Sequence, residues 1–369
     1  MVLDEYVTRR IDWLRGVFAL NVALGHLFDI SKISTSYVGI LDFIRPVFGF
    51  QWVVGFFVIS GFCIENAASG MSTDAGGVRQ FLLRRSSRLL PTYYLVFLMC
   101  IFFEYLMYGS PERPAYWTNI YPANAVAQTL LTQGARFFKV GAFASFAATF
   151  TITHEVTYYL IWTLRIRFPK YSPTFWCVCL SLVLFLISFR IDHYGDRFYL
   201  ILRYSPLWFV GALVYARYSV LKNIPLLAFL SRYSYILLAV VLAPYLVEEL
   251  DLGRGWFFVL AWVFALNLLK SPAGNSALIS ARVTHFMGDI SYPMFLIHGP
   301  VAMITAFALN SFGVSNFYLH FAMVIVITVT SAAVFTIFVE RPILHWRKRK
   351  ISAGHDEPAT LPTSAIYVK

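Results

Sequence analysis

The sequence predicts an all-α fold: a polytopic transmembrane bundle of about ten helices with both termini cytoplasmic. Three observations predict it. Hydrophobic residues make up 59% of the 369 positions and charged residues only 13%, where soluble domains run nearer ~45–50% and ~25%. The mean hydropathy is +0.65. Apolar runs close to the ~20 residues that a helix needs to cross a bilayer recur along the whole chain.

Taken in order, spans are expected at about 12–29, 47–66, 90–108, 141–163, 173–190, 199–216, 225–246, 255–270, 290–310 and 317–338. The first follows Arg9 and Arg10, as the core of a signal peptide would. It lacks a small-residue cleavage site and carries Arg15 and His26, so it reads as a retained helix. The mildly apolar stretch 120–133 is expected as an interfacial or re-entrant helix within the long outer loop 109–140. Residues 1–345 form one integral membrane domain, and 346–369 a disordered cytoplasmic tail.

The formal charge is +11. In a soluble protein that would point to nucleic acid. Here most Lys and Arg fall on one side of the expected spans, which is the positive-inside pattern. The bilayer is therefore the expected partner, and nucleic acid is not. Cys63, Cys100, Cys177 and Cys179 all lie in apolar runs and read as small buried residues. Their spacing fits neither a zinc site nor a CxxC pair, so no metal is expected.

Five stretches carry residues that need explaining. "IDWLRGVFALNVALGHLFDI" (11–30) places Arg15 and His26 on one helical face, ~16 Å apart along the axis. Arg15 is either a snorkelling anchor or a ligand. His26 is either a packed core residue or a general base. "GFFVISGFCIEN" (55–66) sets Gly55, Ser60 and Gly61 where helices approach closely. "FLLRRSSRLLPTYY" (81–94) clusters Arg84, Arg85 and Arg88 ahead of Pro91, expected in the first turn of its span. The cluster suits anionic lipid or a bidentate phosphate clamp. "THEVTYYLIW" (153–162) opens a helix at its outer end, with Glu155 sharing a face with Tyr158 and Tyr159. At that depth Glu155 would pair with His26. "GDISYPMFLIHGPV" (288–301) offers Asp289 or Ser291 as a cap, Pro293 in the first helical turn and His298 inside the membrane.

In this order the segments resemble the acyltransferase-3 family of bacterial inner-membrane O-acyltransferases. The carriers are "LRGVFALNVALGH" with Arg15 and His26, "FFVISGF" at 56–62, the R-x-x-R-x-x-P pattern of Arg85, Arg88 and Pro91, Glu155 with Tyr158 and Tyr159, "SYPMFLIH" from Ser291 to His298, and the closing Glu340 and Pro342. Tyr158 stands where the family pattern has Phe, and Phe295 where it has Tyr. The tryptophan usual before the glutamate is missing from "TFTITHE".

The resemblance implies transfer of an acyl group, acetyl above all, from cytoplasmic acetyl-CoA or another acyl-CoA to a hydroxyl of a cell-surface or lipid-linked carbohydrate. Acyl-CoA would be a co-substrate, and no permanently bound cofactor is expected. It implies His26 and Glu155 as catalytic residues, with Arg15, Arg85 and Arg88 binding the donor. Ser60, Tyr158, Tyr159, Ser291, Tyr292 and His298 would support them. The rival reading is a glycan or glycolipid transporter, which would show inverted repeats and paired broken helices. Neither is visible in the sequence.

A base that accepts a proton from a sugar hydroxyl is worth ~10²–10⁴-fold in rate. His26→Ala is expected to insert normally and to lose acylation by about that factor, measured as acyl incorporation at matched expression. Product at the wild-type level would remove His26 from the chemistry.

Overall fold

Inside a bilayer no water is available to the peptide groups, so each backbone N–H and C=O must be paired within its own segment. The apolar runs accordingly fold as helices. A computed structural model describes residues 5–113, 120–132, 143–190, 197–246, 256–270 and 280–352, and no strand occurs among them. The helices are α1 (Glu5–Thr35), α2 (Phe50–Ala68), α3 (Ala75–Met107), α4 (Pro122–Thr129), α5 (Phe150–Arg167), α6 (Pro173–Arg190), α7 (Arg197–Ala216), α8 (Tyr218–Leu221), α9 (Pro225–Arg232), α10 (Ser234–Leu242), α11 (Trp256–Leu269), α12 (Ala281–Ser311), α13 (Phe317–Phe335) and α14 (Arg341–Ser352).

Each of the ten apolar runs carries a helix, but they are unequal. Among the described residues five helical segments are long and apolar enough to cross a membrane: Glu5–Thr35, Ile40–Ala68, Ala75–Met107, Ala281–Ser311 and Phe317–Arg347. A sixth exists if the bent pair Pro225–Arg232 and Ser234–Leu246, which turns by 68°, is counted as one span. The run expected as a single helix at 225–246 is therefore broken. Tyr204–Ala216 and Trp256–Leu269 are apolar but shorter.

Two helix starts differ from expectation. Pro91 and Pro293 were placed in first turns, yet both lie inside continuous helices. α3 starts sixteen residues before Pro91, where the Asp74 carboxylate accepts the Gly77 amide at 2.7 Å. α12 starts where Ser280 caps the Arg282 amide. A proline removes one rung of a helix, and packed neighbours hold both halves in line. Consequently the arginine-bearing stretch and the span after it are one rigid rod. α14 continues to Ser352, into the segment expected as a tail, and residues 353–369 lie outside the described residues.

α1 and α12 run side by side in the same direction: Asp12 meets Gly288 and His285, and His26 meets His298 further along. α3 and α5 run antiparallel. α4 packs beside the middle of α3, where Tyr93 donates to the Gln128 carbonyl at 2.9 Å and Gln128 Nε2 donates to Thr149 Oγ1 at 2.8 Å. The stretch expected as interfacial or re-entrant is thus folded back against the bundle and closes the space above α5.

The tightest approach joins α2 and α7. A Cβ on Gly211 would sit 1.8 Å from the Val58 carbonyl oxygen, and one on Gly61 2.0 Å from that of Trp208. Side chains cannot absorb such overlaps because the obstacle is backbone. Gly211→Ala or Gly61→Ala must push the helices apart, at the ~1–3 kcal/mol typical of overpacking or more. A lowered thermal midpoint in detergent is expected for both. Gly70→Ala, where nothing lies within 4 Å, should melt like the wild type.

Candidate active site

α1, α2, α3, α5 and α12 enclose a cavity of about 110 Å³ deep in the bundle. Its apolar walls include Val53, Phe56, Phe57, Ile59, Leu89 and Phe295. Apart from Thr151, its polar residues are Arg15, Ser60, Arg85, Arg88, Glu155, Tyr159, Ser291 and Tyr292. These come from five segments far apart in sequence, and every one was singled out from sequence motifs.

Glu155 organises one wall. Its Oε1 accepts hydrogen bonds from Ser60 Oγ at 2.9 Å and from the Tyr159 hydroxyl. The Tyr159 bond spans i to i+4, the spacing that puts both on one face of α5. Ser60 is itself fixed, because Trp208 Nε1 donates to its Oγ at 3.1 Å. Small residues around Ser60 let α7 come near enough for that indole to reach. Both hydroxyls use the same carboxylate oxygen, and Oε2 takes part in neither bond.

The opposite wall is cationic. Arg85 Nη2 donates to the Cys63 carbonyl at 3.3 Å, which locks α3 to α2. Arg15 and Arg85 both lie within electrostatic reach of Arg88 and of Glu155. The Tyr292 hydroxyl donates to the Leu89 carbonyl at 2.7 Å and the Ser291 hydroxyl to the Gly288 carbonyl at 2.7 Å. The first bond seats α12 against α3, and the second lies within α12. Tyr158 does not line this cavity; it is buried among Phe57, Trp208 and Phe209.

Arg15, Arg88 and Tyr292 also face a second cavity of about 60 Å³. It is bordered by Asp12, His285, Asp289, Glu340 and Arg341. The ionic groups there are paired: His285 Nδ1 donates to Asp12 at 2.9 Å, Arg341 to Asp289 at 3.1 Å, and Thr92 Oγ1 to Glu340. The cluster of arginines thus borders a cavity on each side.

His26 and His298 are placed elsewhere. Their rings stack with centroids 5.3 Å apart and planes 22° from parallel. Neither lines the 110 Å³ cavity. Phe295, one turn before His298 on α12, lies 6.0 Å from it by centroid and forms the cavity wall together with Phe56, 5.8 Å away. The expectation that Glu155 and His26 share the outer end of one pocket is therefore corrected. α5 packs antiparallel to α3, which lowers Glu155 to the level of the arginines, while the aromatic pair stands beside the histidines. His298 Nδ1 lies 3.1 Å from the Met294 carbonyl. A carbonyl only accepts, so Nδ1 carries the proton and Nε2 the lone pair. That Nε2 is buried without a hydrogen-bond partner among the described residues.

Sequence reasoning missed Trp208, which belongs to no motif, and the contact of Thr92 with Glu340. It also missed that Glu65 is buried and paired with Arg165 at 2.8 Å and with Trp162 Nε1 at 3.0 Å. Ser60, read as a packing residue, carried a signal toward Trp208, and Glu340 in the closing motif carried one toward Thr92.

Residues 8–337 match a family model described as an acyltransferase domain. Comparison with curated proteins and with solved structures gave no match. The match covers most of the chain, and the long apolar helices fix its setting: the protein belongs to the acyltransferase-3 family and is an integral membrane acyltransferase.

Proposed function

We propose that the protein transfers an acyl group, acetyl above all, from acyl-CoA to a hydroxyl of a cell-surface or lipid-linked carbohydrate in a bacterial inner membrane. In this reading the helices make ten crossings, with both termini on the cytoplasmic side. One observation carries the proposal. Arg15, Arg85, Arg88, Glu155, Ser60 and Tyr159, contributed by four helices, converge on one cavity inside an otherwise apolar bundle. Ionisable groups are costly there and persist where a charged ligand uses them.

The arginines receive donor phosphates, for which planar guanidinium groups are suited. The acyl-bearing arm extends from them toward the outer half of the bundle. His26 lies ~16 Å further along α1 than Arg15 and accepts the proton of the acceptor hydroxyl as its oxygen attacks the thioester carbonyl. The C–S bond breaks and CoA leaves as the thiolate, which then takes up a proton. Glu155 sits with the arginines and not with His26. It therefore holds the donor: its charge offsets Arg15 and Arg85, and its second oxygen is placed to accept an amide N–H of the arm. His298 faces His26 and keeps its ring in register. A transporter is disfavoured because only one broken helix is present among the described residues, without the paired partner such folds use.

The test uses labelled acetyl-CoA and membranes carrying the protein, with acetyl counted in the carbohydrate fraction. Incorporation that depends on the protein is expected; none, in membranes whose carbohydrate is otherwise acetylated, would overturn the reading. Arg85→Lys and Arg88→Lys keep charge but lose the fork, so CoA binding should weaken roughly 10–100-fold, the worth of a charge-assisted hydrogen bond. Full affinity with Lys would make both arginines lipid or topology anchors. Glu155→Gln should raise KM for acyl-CoA several-fold with kcat nearly intact. A collapsed kcat at unchanged KM would instead place Glu155 in the proton transfer.

A further inference from the structure

Beyond the family-matched region, α14 brings one more cation to the arginine cluster. Thr92 on α3 donates to Glu340, the last residue before α14, which fixes where α14 begins. The turn Thr336–Glu340 is π-helical. One extra residue in a helix rotates everything after it by ~100°, and π-turns of this kind gather at functional sites. The rotation matters because Glu340 and Leu344 line the 60 Å³ cavity with Arg15 and Arg88. Arg347 follows at i+7 and i+3 from them, on the same face of α14.

There Arg347 lies within electrostatic reach of Arg84, Arg85, Arg88 and one carboxylate, Glu340. Of the groups facing Arg347, three are guanidinium groups and one is a carboxylate. Arg347 Nε is buried and has no hydrogen-bond partner among the described residues. A buried donor left unpaired costs ~1–3 kcal/mol, and like charges held together cost more. Both penalties disappear when an anion with several oxygen acceptors enters the cluster. Trp346 and Arg349, by contrast, are exposed on the other faces of α14.

We propose that Arg347 joins Arg84, Arg85 and Arg88 in a binding site for a ligand carrying at least two phosphate groups. Resting on the acyl-CoA reading above, this assigns the phosphorylated nucleotide end of the donor to the seam between α3 and α14. The pantetheine arm then enters past Arg15, Arg88 and Tyr292, the residues that face both cavities.

The experiment measures CoA and inorganic pyrophosphate binding by calorimetry, with the full chain in nanodiscs of phosphatidylcholine. Arg347→Gln is expected to weaken both ligands about tenfold or more, with an unchanged thermal midpoint. Arg347→Lys should recover only part of the loss, and Arg349→Gln should bind as the wild type does. Wild-type affinity for both ligands in Arg347→Gln overturns the proposal. If the wild type binds pyrophosphate through Arg347 but does not bind CoA, the phosphate site stands and the acyl-CoA reading falls. If it binds neither, both fall. A variant that keeps CoA but loses retention of phosphatidylglycerol would show that Arg347 serves a lipid headgroup, and the proposal fails.

Discussion

The constraint on which the structure depends is the placement of charge inside an apolar bundle. Arg15, Arg85 and Arg88 face a cavity whose other walls are mostly Phe, Val, Ile and Leu. Isolated there, each cation would be held at severe electrostatic cost. Glu155 meets part of that cost, and its own oxygen is fixed by Ser60 and Tyr159. Further along α5 the same device recurs, with Glu65 holding Arg165 and Trp162. The second cavity repeats it again through Asp12 with His285 and Asp289 with Arg341. Such pairs contribute little net stability, since desolvation offsets much of their attraction. They tie particular helices together at particular registers, which matters more for a site assembled from five of them.

Close backbone packing makes the pairing possible. Ser60 reaches both Glu155 and Trp208 only because Gly61 and Gly211 let α2 and α7 touch backbone to backbone. Gly16 and Gly288 do the same between α1 and α12: a Cβ on either would lie 2.6 Å from Met287 or Asp12. The glycines in the Arg-Gly and Gly-Asp pairs are therefore spacers for the ionic groups beside them. In lipid, helices gain little from hydrophobic exclusion, so such contacts and the hydrogen bonds they permit carry the association.

Much of this was legible in the sequence, and what was missing has physical causes. Composition gave the helical class, and motif order gave the family. Motifs also named the polar lining residues, since each is an ionisable or hydroxylated group out of place in an apolar run. Depth was not legible. Glu155 was read as an outer residue because its apolar run begins nearby, but α5 starts only after a folded-back segment that fills the outer space beside α3. Helix starts at Pro91 and Pro293 were misplaced because packed neighbours override the local preference of proline. Partners from other helices were invisible: nothing around Trp208 or Thr92 advertises a contact more than a hundred residues away. The count of crossings stays tied to charge pattern, since only some of the helical segments are individually long and apolar enough.

The separation of the histidines from the arginine cavity has a further consequence. Phe56 and Phe295 stand at the boundary, and Phe295 occupies a position where the family pattern has tyrosine. A tyrosine there would place a hydroxyl at that boundary; phenylalanine leaves it apolar. On the function proposed above, an apolar boundary suits a thin, flexible arm better than a hydrated sugar. Water kept away from a thioester cannot hydrolyse it, and excluding water in this way is a recognised function of closed sites. On that proposed function, the carbohydrate would approach His26 from the outer side and the donor from the arginine side. The aromatic pair would then do two jobs with one set of atoms, guiding the arm and keeping the acyl group for the sugar. His298, whose backbone bond leaves its lone pair on Nε2, stacks on His26, so on that reading two imidazoles would meet the acceptor hydroxyl, with Arg45 within electrostatic reach of His26.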